Sequence, residues 1–223
     1  MRINKFIALS TGVSRRYADK LIQNNVVRVN GTLANLGSIV DEKKDKVEVN
    51  NKLIKQVSGN KFIIIKFNKP TGYVVSKNGQ GNKTIYDLLP SQYSNLKPVG
   101  RLDKNSTGIL LLTDDGDLIQ KLTHPSNKKN KVYIVGLDKP LNKEGFNHIS
   151  KYGVNLEDGL SKLKLIQINN SDYLNWKIIM TEGRNRQIRR TFDFLNYKVI
   201  KLHRISFDSY SLGSLKPGQI EIL

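Results

Sequence analysis

The stretch of the sequence best suited to chemistry is 100–108, which contains an arginine, an aspartate and a threonine. Four aliphatic residues, 109–112, follow directly and end at an Asp-Asp-Gly turn. They predict a buried strand that holds the preceding loop against the core. Arg101 and Asp103 would point the same way in an extended backbone, where the guanidinium would keep the carboxylate ionised and oriented. A surface ion pair would have the same spacing, so both interpretations stay open.

A second group of candidate functional residues lies towards the end of the chain. Four arginines fall within one short stretch, at Arg184, Arg186, Arg189 and Arg190. Apolar residues with helical spacing run through and beyond this stretch, at Ile188, Phe192 and Leu195. Arginines at the start of a helix form an anion-binding site, and their spacing alone leaves the ligand open.

Composition narrows the class of protein that could carry these residues. The chain has 223 residues, 38% of them apolar, and a formal net charge of +18. This apolar share supports folded domains, and the charge favours nucleic acid as the partner. The sequence shows neither an apolar run of the roughly 20 residues that span a bilayer nor a signal-peptide core, which predicts a cytoplasmic protein without a membrane partner. With no cysteine and three scattered histidines, neither a disulfide framework nor a metal site is expected.

The N-terminal residues predict a small module of two helices followed by strands. Helices are expected over 2–10 and 15–24, with Ser14 capping the second, then a strand over 26–29 and a hairpin turn at Asn30-Gly31. The second helix is expected to pack inward through Tyr17, Ala18, Leu21 and Ile22. Its outer face carries Arg15, Arg16 and Lys20, for which a solvated face is the commoner explanation when the helix is taken alone.

The rest of the chain predicts a larger α+β domain. Polar residues 56–61 indicate a linker with a domain boundary near residue 58, and an apolar strand follows over 62–67. Residues 76–83 and 126–131 are expected to form basic loops. Helices are predicted at 84–89, 117–123 and 141–149, and strands at 176–180 and 198–205.

Several motifs together resemble those of the pseudouridine synthases that modify ribosomal RNA. Gly-Arg-Leu-Asp begins at Gly100 and is followed by Thr-x-Gly and an aliphatic run that ends in Thr-x-Asp-Gly. Asn-Lys-Pro-x-Gly begins at Asn68, Lys-x-Tyr at Lys131 and Glu-Gly-Arg-x-x-Gln-Ile-Arg-Arg at Glu182. The two N-terminal helices with their hairpin resemble an RNA-binding domain of the ribosomal-protein S-four type. The resemblance therefore covers nearly the whole chain.

This resemblance implies an α+β protein with two domains. Residues 1–57 would form the S-four-type RNA-binding domain, whose RNA-contacting side chains would be Arg2, Lys5, Arg15, Arg16 and Lys20. Residues 60–223 would form the catalytic domain, a mixed and largely antiparallel sheet flanked by helices. The active site would lie in a basic cleft across that sheet.

The resemblance also implies a role for each candidate site residue. Asp103 would be the catalytic carboxylate, which either attacks the anomeric carbon or removes a proton from the neighbouring ribose carbon. Tyr133 would stack on the turning base and help to remove the ring proton, and Arg189 would be the ion-pair partner of Asp103. The substrate would be bound by Arg101, which helps to displace the target base, by Leu202 under the uracil, by Lys131, and by phosphate contacts from Arg184, Arg186 and Arg190.

The function implied is site-specific isomerisation of uridine in ribosomal RNA by a monomer that needs no cofactor. A uridine of the large-subunit RNA is favoured, and one of the small-subunit RNA is next. The alternative is a catalytically silent RNA-binding or ribosome-assembly factor. Without the Lys-x-Tyr context, an ordinary core tyrosine would be the favoured interpretation of Tyr133, and an ordinary core leucine stays an alternative for Leu202. A P-loop or nicotinamide enzyme is disfavoured because its glycine motif is missing.

Overall fold

The computed structural model describes residues 1–55 and 62–223, which fall into two compact units, Met1–Lys61 and Phe62–Leu223. The predicted linker at 56–61, with its boundary near residue 58, lies outside the described residues. Among the helices of the described ranges, none has the length and apolar character needed to cross a bilayer.

The first unit packs two helices with a small antiparallel sheet. Its elements are α1 (Ile3–Thr11), α2 (Arg15–Gln23), β1 (Val27–Val29), β2 (Thr32–Leu33), β3 (Val47–Val49) and β4 (Lys52–Ile54), with the strand order β2-β1-β3-β4. As predicted, Ser14 caps α2, because its hydroxyl accepts a hydrogen bond from the Tyr17 amide at 3.1 Å. The prediction that Tyr17 packs inward is wrong: 52% of this residue is exposed, since the core is filled from α2 by Ala18 and Ile22.

The second unit is built on one large sheet. Its strands are β5 (Ile64–Lys69), β6 (Lys97–Pro98), β7 (Thr107–Thr113), β8 (Lys131–Leu137), β9 (Val154–Leu156), β10 (Gly159–Ser161), β11 (Lys164–Gln167), β12 (Asn175–Met180), β13 (Val199–Phe207), β14 (Tyr210–Ser211) and β15 (Ile220–Ile222). The main sheet has the order β11-β12-β8-β13-β7-β5-β15, and β9 and β10 form a separate hairpin. In the main sheet β13 pairs with β7 in parallel and the other neighbours are antiparallel. The predicted α+β class with a mixed, largely antiparallel sheet is confirmed.

Helices cover the sheet and connect its strands. They are α3 (Gly116–Thr123), α4 (Lys143–Asn147), which runs into a π-helical turn at His148–Tyr152, and α5 (Gln187–Asp193). The helix predicted at 84–89 is only a 3-10 turn, Ile85–Asp87. A capping box between Thr84 and Asp87 sets its N-terminal end, and Pro90 follows shortly after its C-terminal end. The α3 N-terminus is capped by Asp115, whose carboxylate accepts from two backbone amides.

The central strand β7 fixes the position of the loop that carries Asp103. Leu110 and Leu112 pack into one hydrophobic cluster and Ile109 and Leu111 into a second one, so both faces of β7 are buried. At the start of the strand, Gly108 lies beside Arg204 of β13, where a Cβ atom would come within 2.2 Å of the Arg204 carbonyl oxygen. The loop 100–106 therefore leads directly into the most deeply buried strand of the sheet.

Candidate active site

A cavity of about 370 Å³ opens over the sheet in the second unit. Its walls come from the Asp103 loop, β8, β13 and the turn that precedes α5. This cavity is of the size that binds small organic groups. It brings together seven of the predicted site residues, namely Arg101, Asp103, Lys131, Tyr133, Arg184, Arg186 and Leu202.

The Asp103 carboxylate is partly exposed in the cavity and has an arginine beside it. Its Oδ2 lies 3.7 Å from Nη1 of Arg186, and the side chains are 33% and 49% exposed respectively. Here the structure differs from the prediction, which assigned this ion pair to Arg189. In the described part of the chain, neither Arg189 nor Arg101 has a nitrogen within 4 Å of this carboxylate.

Arg189 contacts the Asp103 loop through the backbone instead. Its Nη1 donates a hydrogen bond to the Val199 carbonyl at 2.6 Å, and its Nη2 donates to the Asn105 carbonyl at 3.1 Å. Burial lowers the pKa of Arg189, with nearby Arg186 acting in the same direction and Asp103 opposing it. Arg189 therefore ties α5 and the start of β13 to the loop that carries the carboxylate.

Tyr133 and Leu202 form part of the cavity wall on adjacent strands. Tyr133 is 8% exposed and lies opposite Ile178 of β12 and Arg204 of β13. Leu202 is 7% exposed and belongs to the same face of β13 as Arg204, two positions along the strand. An aromatic ring and an aliphatic side chain at such a wall provide flat, apolar surface for a heterocyclic ring.

Lys69 supports the same loop and was not among the predicted site residues. Although fully buried, its ammonium group donates hydrogen bonds to the carbonyls of Pro70, Lys104 and Ser106 at 3.0, 3.2 and 2.9 Å. Burial lowers the pKa of Lys69 to about 8, and the nearby Asp103 opposes this shift. The signal in the sequence was a lysine that ends an apolar strand and precedes Pro-x-Gly, where a charged residue has to find buried partners.

The lowered pKa of Lys69 predicts a specific pH dependence of stability. Between about pH 8 and 10.5 the unfolded chain binds a proton on this lysine that the folded chain has lost, so the free energy of unfolding rises with pH. Relative to Lys69→Met, wild type should gain stability over this interval. Urea unfolding followed by Trp176, the single tryptophan and a core residue of this unit, measures the difference. A difference that stays flat or shrinks as the pH rises would contradict the assignment.

Arg184 and Arg190, which were predicted to contact phosphates, are engaged within the protein. Arg184 donates to the Asp158 carboxylate at 2.9 Å and to the carbonyls of Gly159 and Leu160 at 3.0 and 2.9 Å. Arg190 donates to the second Asp158 oxygen at 2.6 Å, which lowers the pKa of that carboxyl group. These two arginines hold the β9–β10 hairpin against the start of α5. Their contacts to phosphates stay a prediction.

The predicted RNA-contacting side chains of the first unit are mostly accessible. Arg2, Arg15, Arg16 and Lys20 are exposed, and Lys5 is half-buried. Arg15 donates to the Asn4 side chain at 3.1 Å, which links the start of α2 to α1. Three basic side chains therefore project from one short helix, as a surface that contacts phosphates requires.

Comparison with known proteins gives a consistent result over both units. Residues 63–194 match the RNA pseudouridylate synthase family, and residues 1–47 match the S4 domain. A protein of Aquifex aeolicus described as an uncharacterized RNA pseudouridine synthase is 36% identical, over 98% of this chain and 88% of its own length. The dual-specificity RNA pseudouridine synthase RluF of Escherichia coli K12 is 33% identical, over 98% of this chain and 74% of its own length.

Solved structures agree with the sequence comparison. A crystal structure of a pseudouridylate synthase superposes with a TM-score of 0.68 at 30% sequence identity, and the match covers 100% of this chain and 96% of that one. The family match spans more than half of the chain and includes the Asp103 loop, β8 and the whole of α5. The chain therefore belongs to the RNA pseudouridine synthase family, and its catalytic unit is preceded by an S4 domain.

Proposed function

We propose that this enzyme converts one uridine of ribosomal RNA into pseudouridine, and that this uridine belongs to the large-subunit RNA. The observation that carries the proposal is the cavity that joins Asp103, Tyr133, Arg186 and Leu202. Support for the target comes from a relative: the ribosomal large subunit pseudouridine synthase B of Xylella fastidiosa is 33% identical over 95% of this chain and 46% of its own length.

Asp103 is the catalytic carboxylate in this proposal. The reaction breaks the bond between the uracil nitrogen and the anomeric carbon of the ribose, turns the base and joins its C5 to the same carbon. No electron is gained or lost overall, and the proton on C5 is replaced by one on the ring nitrogen. Asp103 either attacks the anomeric carbon or takes the proton from the neighbouring ribose carbon. Its partly exposed position in the cavity suits both routes.

The other cavity residues hold the base while the bond is exchanged. Tyr133 stacks on the uracil and assists removal of the C5 proton, and Leu202 packs against the ring from β13. Arg186 pairs with Asp103 in the protein without RNA, whereas Arg189 positions the loop through the Asn105 carbonyl. Arg101, which is exposed at the cavity, occupies the space that the target base leaves in the RNA.

The S4 domain contributes affinity in this proposal. Its exposed cations, Arg2, Arg15, Arg16 and Lys20, contact RNA phosphates, which carry no sequence information by themselves. Such contacts release counterions from the RNA, so the affinity of the whole protein should fall as the salt concentration rises.

Mapping pseudouridines across both ribosomal RNAs, with and without the gene, tests the proposed function. We expect one large-subunit position to lose its pseudouridine in the deletion strain and to regain it when the wild-type gene is restored. Loss at a small-subunit position would correct the target and leave the chemistry intact. An unchanged map in both RNAs would favour the catalytically silent assembly factor and would overturn the proposal.

A further inference from the structure

Arg204 lines the cavity, but its guanidinium group takes no part in the contacts of Asp103 described above. The residue is 2% exposed and lines the cavity. Its Nε donates to the Ile109 carbonyl at 2.8 Å, and its Cζ lies 4.9 Å from the centre of the Phe207 ring. Its Nη2 is buried without a hydrogen-bond partner. A buried guanidinium nitrogen without an acceptor is unusual, because losing water without a replacement is costly.

Lys131 is a second cation at the same place. Its ammonium nitrogen lies 5.6 Å from the centre of the same Phe207 ring and contacts three backbone carbonyls, those of Lys129, Thr181 and Glu182, at 3.5, 3.2 and 3.4 Å. Burial lowers the pKa of Lys131 and the charge of Arg204 lowers it further, whereas the charge of Glu182 opposes these shifts. In the described ranges of the chain, no carboxylate oxygen lies within 4 Å of either cation.

Lys129, which lines the same cavity, is a cation whose charge is balanced by a carboxylate. Its ammonium nitrogen lies 3.0 Å from the Asp208 carboxylate. Among the described residues, neither Arg204, which is buried, nor Lys131, which is half-buried like Lys129, has a carboxylate at such a distance. A buried cation and a half-buried one lie side by side with no carboxylate oxygen within 4 Å among the described residues, and an anionic ligand would reduce the cost of this repulsion.

We infer that Arg204 and Lys131 form a binding site for one backbone phosphate of the RNA strand, next to the target uridine. This inference rests on the proposed function. The location follows from the strand register, since Arg204 lies opposite Tyr133 and Lys131 is two residues before Tyr133 on β8. A base stacked on Tyr133 brings its own phosphodiester linkages to this part of the cavity. The ligand class follows from the charge, because phosphate accepts several hydrogen bonds from arginine and lysine at once.

A purely structural role explains less of Arg204. The hydrogen bond to the Ile109 carbonyl joins β13 to β7 and uses one of the five N–H donors of the guanidinium. It leaves the buried Nη2 without an acceptor and does not explain why a second cation, Lys131, lies beside it. Both cations point to the same conclusion, and Lys131 can be changed without touching the β13–β7 contact.

The test compares RNA with and without charge at single linkages. The probe is the stem-loop that contains the mapped uridine, with a neutral methylphosphonate replacing the phosphate on the 5′ or the 3′ side of that uridine. The nucleotide before the linkage is deoxy in both members of each pair, so only the charge differs. We expect the neutral linkage on one side to weaken binding by full-length wild type about tenfold. Lys131→Met should weaken binding of charged RNA by a similar factor and should bind both RNAs alike.

Two further variants separate this site from general electrostatics. Lys129→Met removes one charge from the same cavity, but Asp208 already pairs with that cation, so this variant should still distinguish charged from neutral linkages as wild type does. Arg204→Lys keeps a cation and should keep part of the discrimination. The inference is overturned if wild type binds all linkages equally, or if Lys131→Met still distinguishes them. Failure of the proposed function looks different, because wild type would then leave the stem-loop unmodified whatever its linkages.

Discussion

Asp103→Asn is expected to bind its RNA with near wild-type affinity and to form no detectable pseudouridine. The substitution keeps the size of the side chain and its hydrogen-bond acceptor, but removes the charge and the ability to act as nucleophile or base. Because the carboxylate is partly exposed and paired with an arginine that is 49% exposed, folding should be little affected. We expect the single-turnover rate to fall by at least about a thousandfold, which corresponds to ~4 kcal/mol of barrier.

A matched variant separates the effect of losing the charge at Asp103 from the effect of losing one negative charge elsewhere in the protein. Asp193→Asn removes the same charge from an exposed residue of α5 that does not line the cavity, and it should leave the rate within about twofold of wild type. Binding is measured by filter retention or fluorescence anisotropy, and the rate by chemical detection of pseudouridine in the stem-loop. If Asp103→Asn reacts within about tenfold of wild type, a barrier change of only ~1.4 kcal/mol, another group carries the chemistry.

The sequence was most informative where a local pattern decides the structure. The aliphatic run 109–112 predicted a buried strand, and β7 is buried on both faces since these residues fill two separate hydrophobic clusters. The Ser14 cap of α2 was also predictable, because capping depends on neighbouring residues alone. The 3-10 turn Ile85–Asp87 was predicted as a short helix. The apolar residues in this segment have the same spacing in both cases, so the pattern does not show that the element is only one turn long.

Contacts between distant residues were harder to predict. Spacing cannot show that Lys69 reaches the carbonyls of Lys104 and Ser106, because backbone acceptors leave no mark on the sequence. Which arginine lies beside Asp103 in this structure was hard to predict for a related reason. Arg186 has a left-handed backbone with a φ of 46°, directly before α5, whereas Arg189 lies in the first turn of the helix. A difference of three positions therefore decides which side chain reaches the carboxylate and which reaches the loop backbone.

The same limit applies to Arg204. In the sequence, Arg204 is one of several basic residues in Lys-Leu-His-Arg and nothing distinguishes it. Its place in the cavity depends on the parallel pairing of β13 with β7. Parallel pairing joins residues about a hundred positions apart in the chain, His203 with Thr107 and Arg204 with Gly108. The hydrogen bond between the Thr107 hydroxyl and Nδ1 of His203, at 2.8 Å, also depends on this register.

Gly108→Ala is expected to destabilise the catalytic unit strongly, because this close pairing leaves no room for a side chain. The φ of Gly108 is +106°, a conformation that costs other residues about 1–3 kcal/mol. In addition, the new Cβ would lie 2.2 Å from the Arg204 carbonyl oxygen and 2.6 Å from its amide nitrogen, both of them backbone atoms in the middle of a sheet. Together these effects should lower the free energy of unfolding by about 3 kcal/mol or more.

Gly108→Ala should also affect activity, because β7 and β13 position residues of the cavity. Separation of β7 from β13 would displace the Asp103 loop on one side and Leu202 and Arg204 on the other, so activity should be lost even where the variant still folds. Urea unfolding followed by Trp176 fluorescence measures the stability of this unit. Gly116→Ala is the matched control: it adds the same methyl group at the start of α3, where no atom lies within 4 Å of the new Cβ, and should change stability by less than about 0.5 kcal/mol. If Gly108→Ala unfolds at the same urea concentration as Gly116→Ala, the close approach of Gly108 to the Arg204 backbone is contradicted.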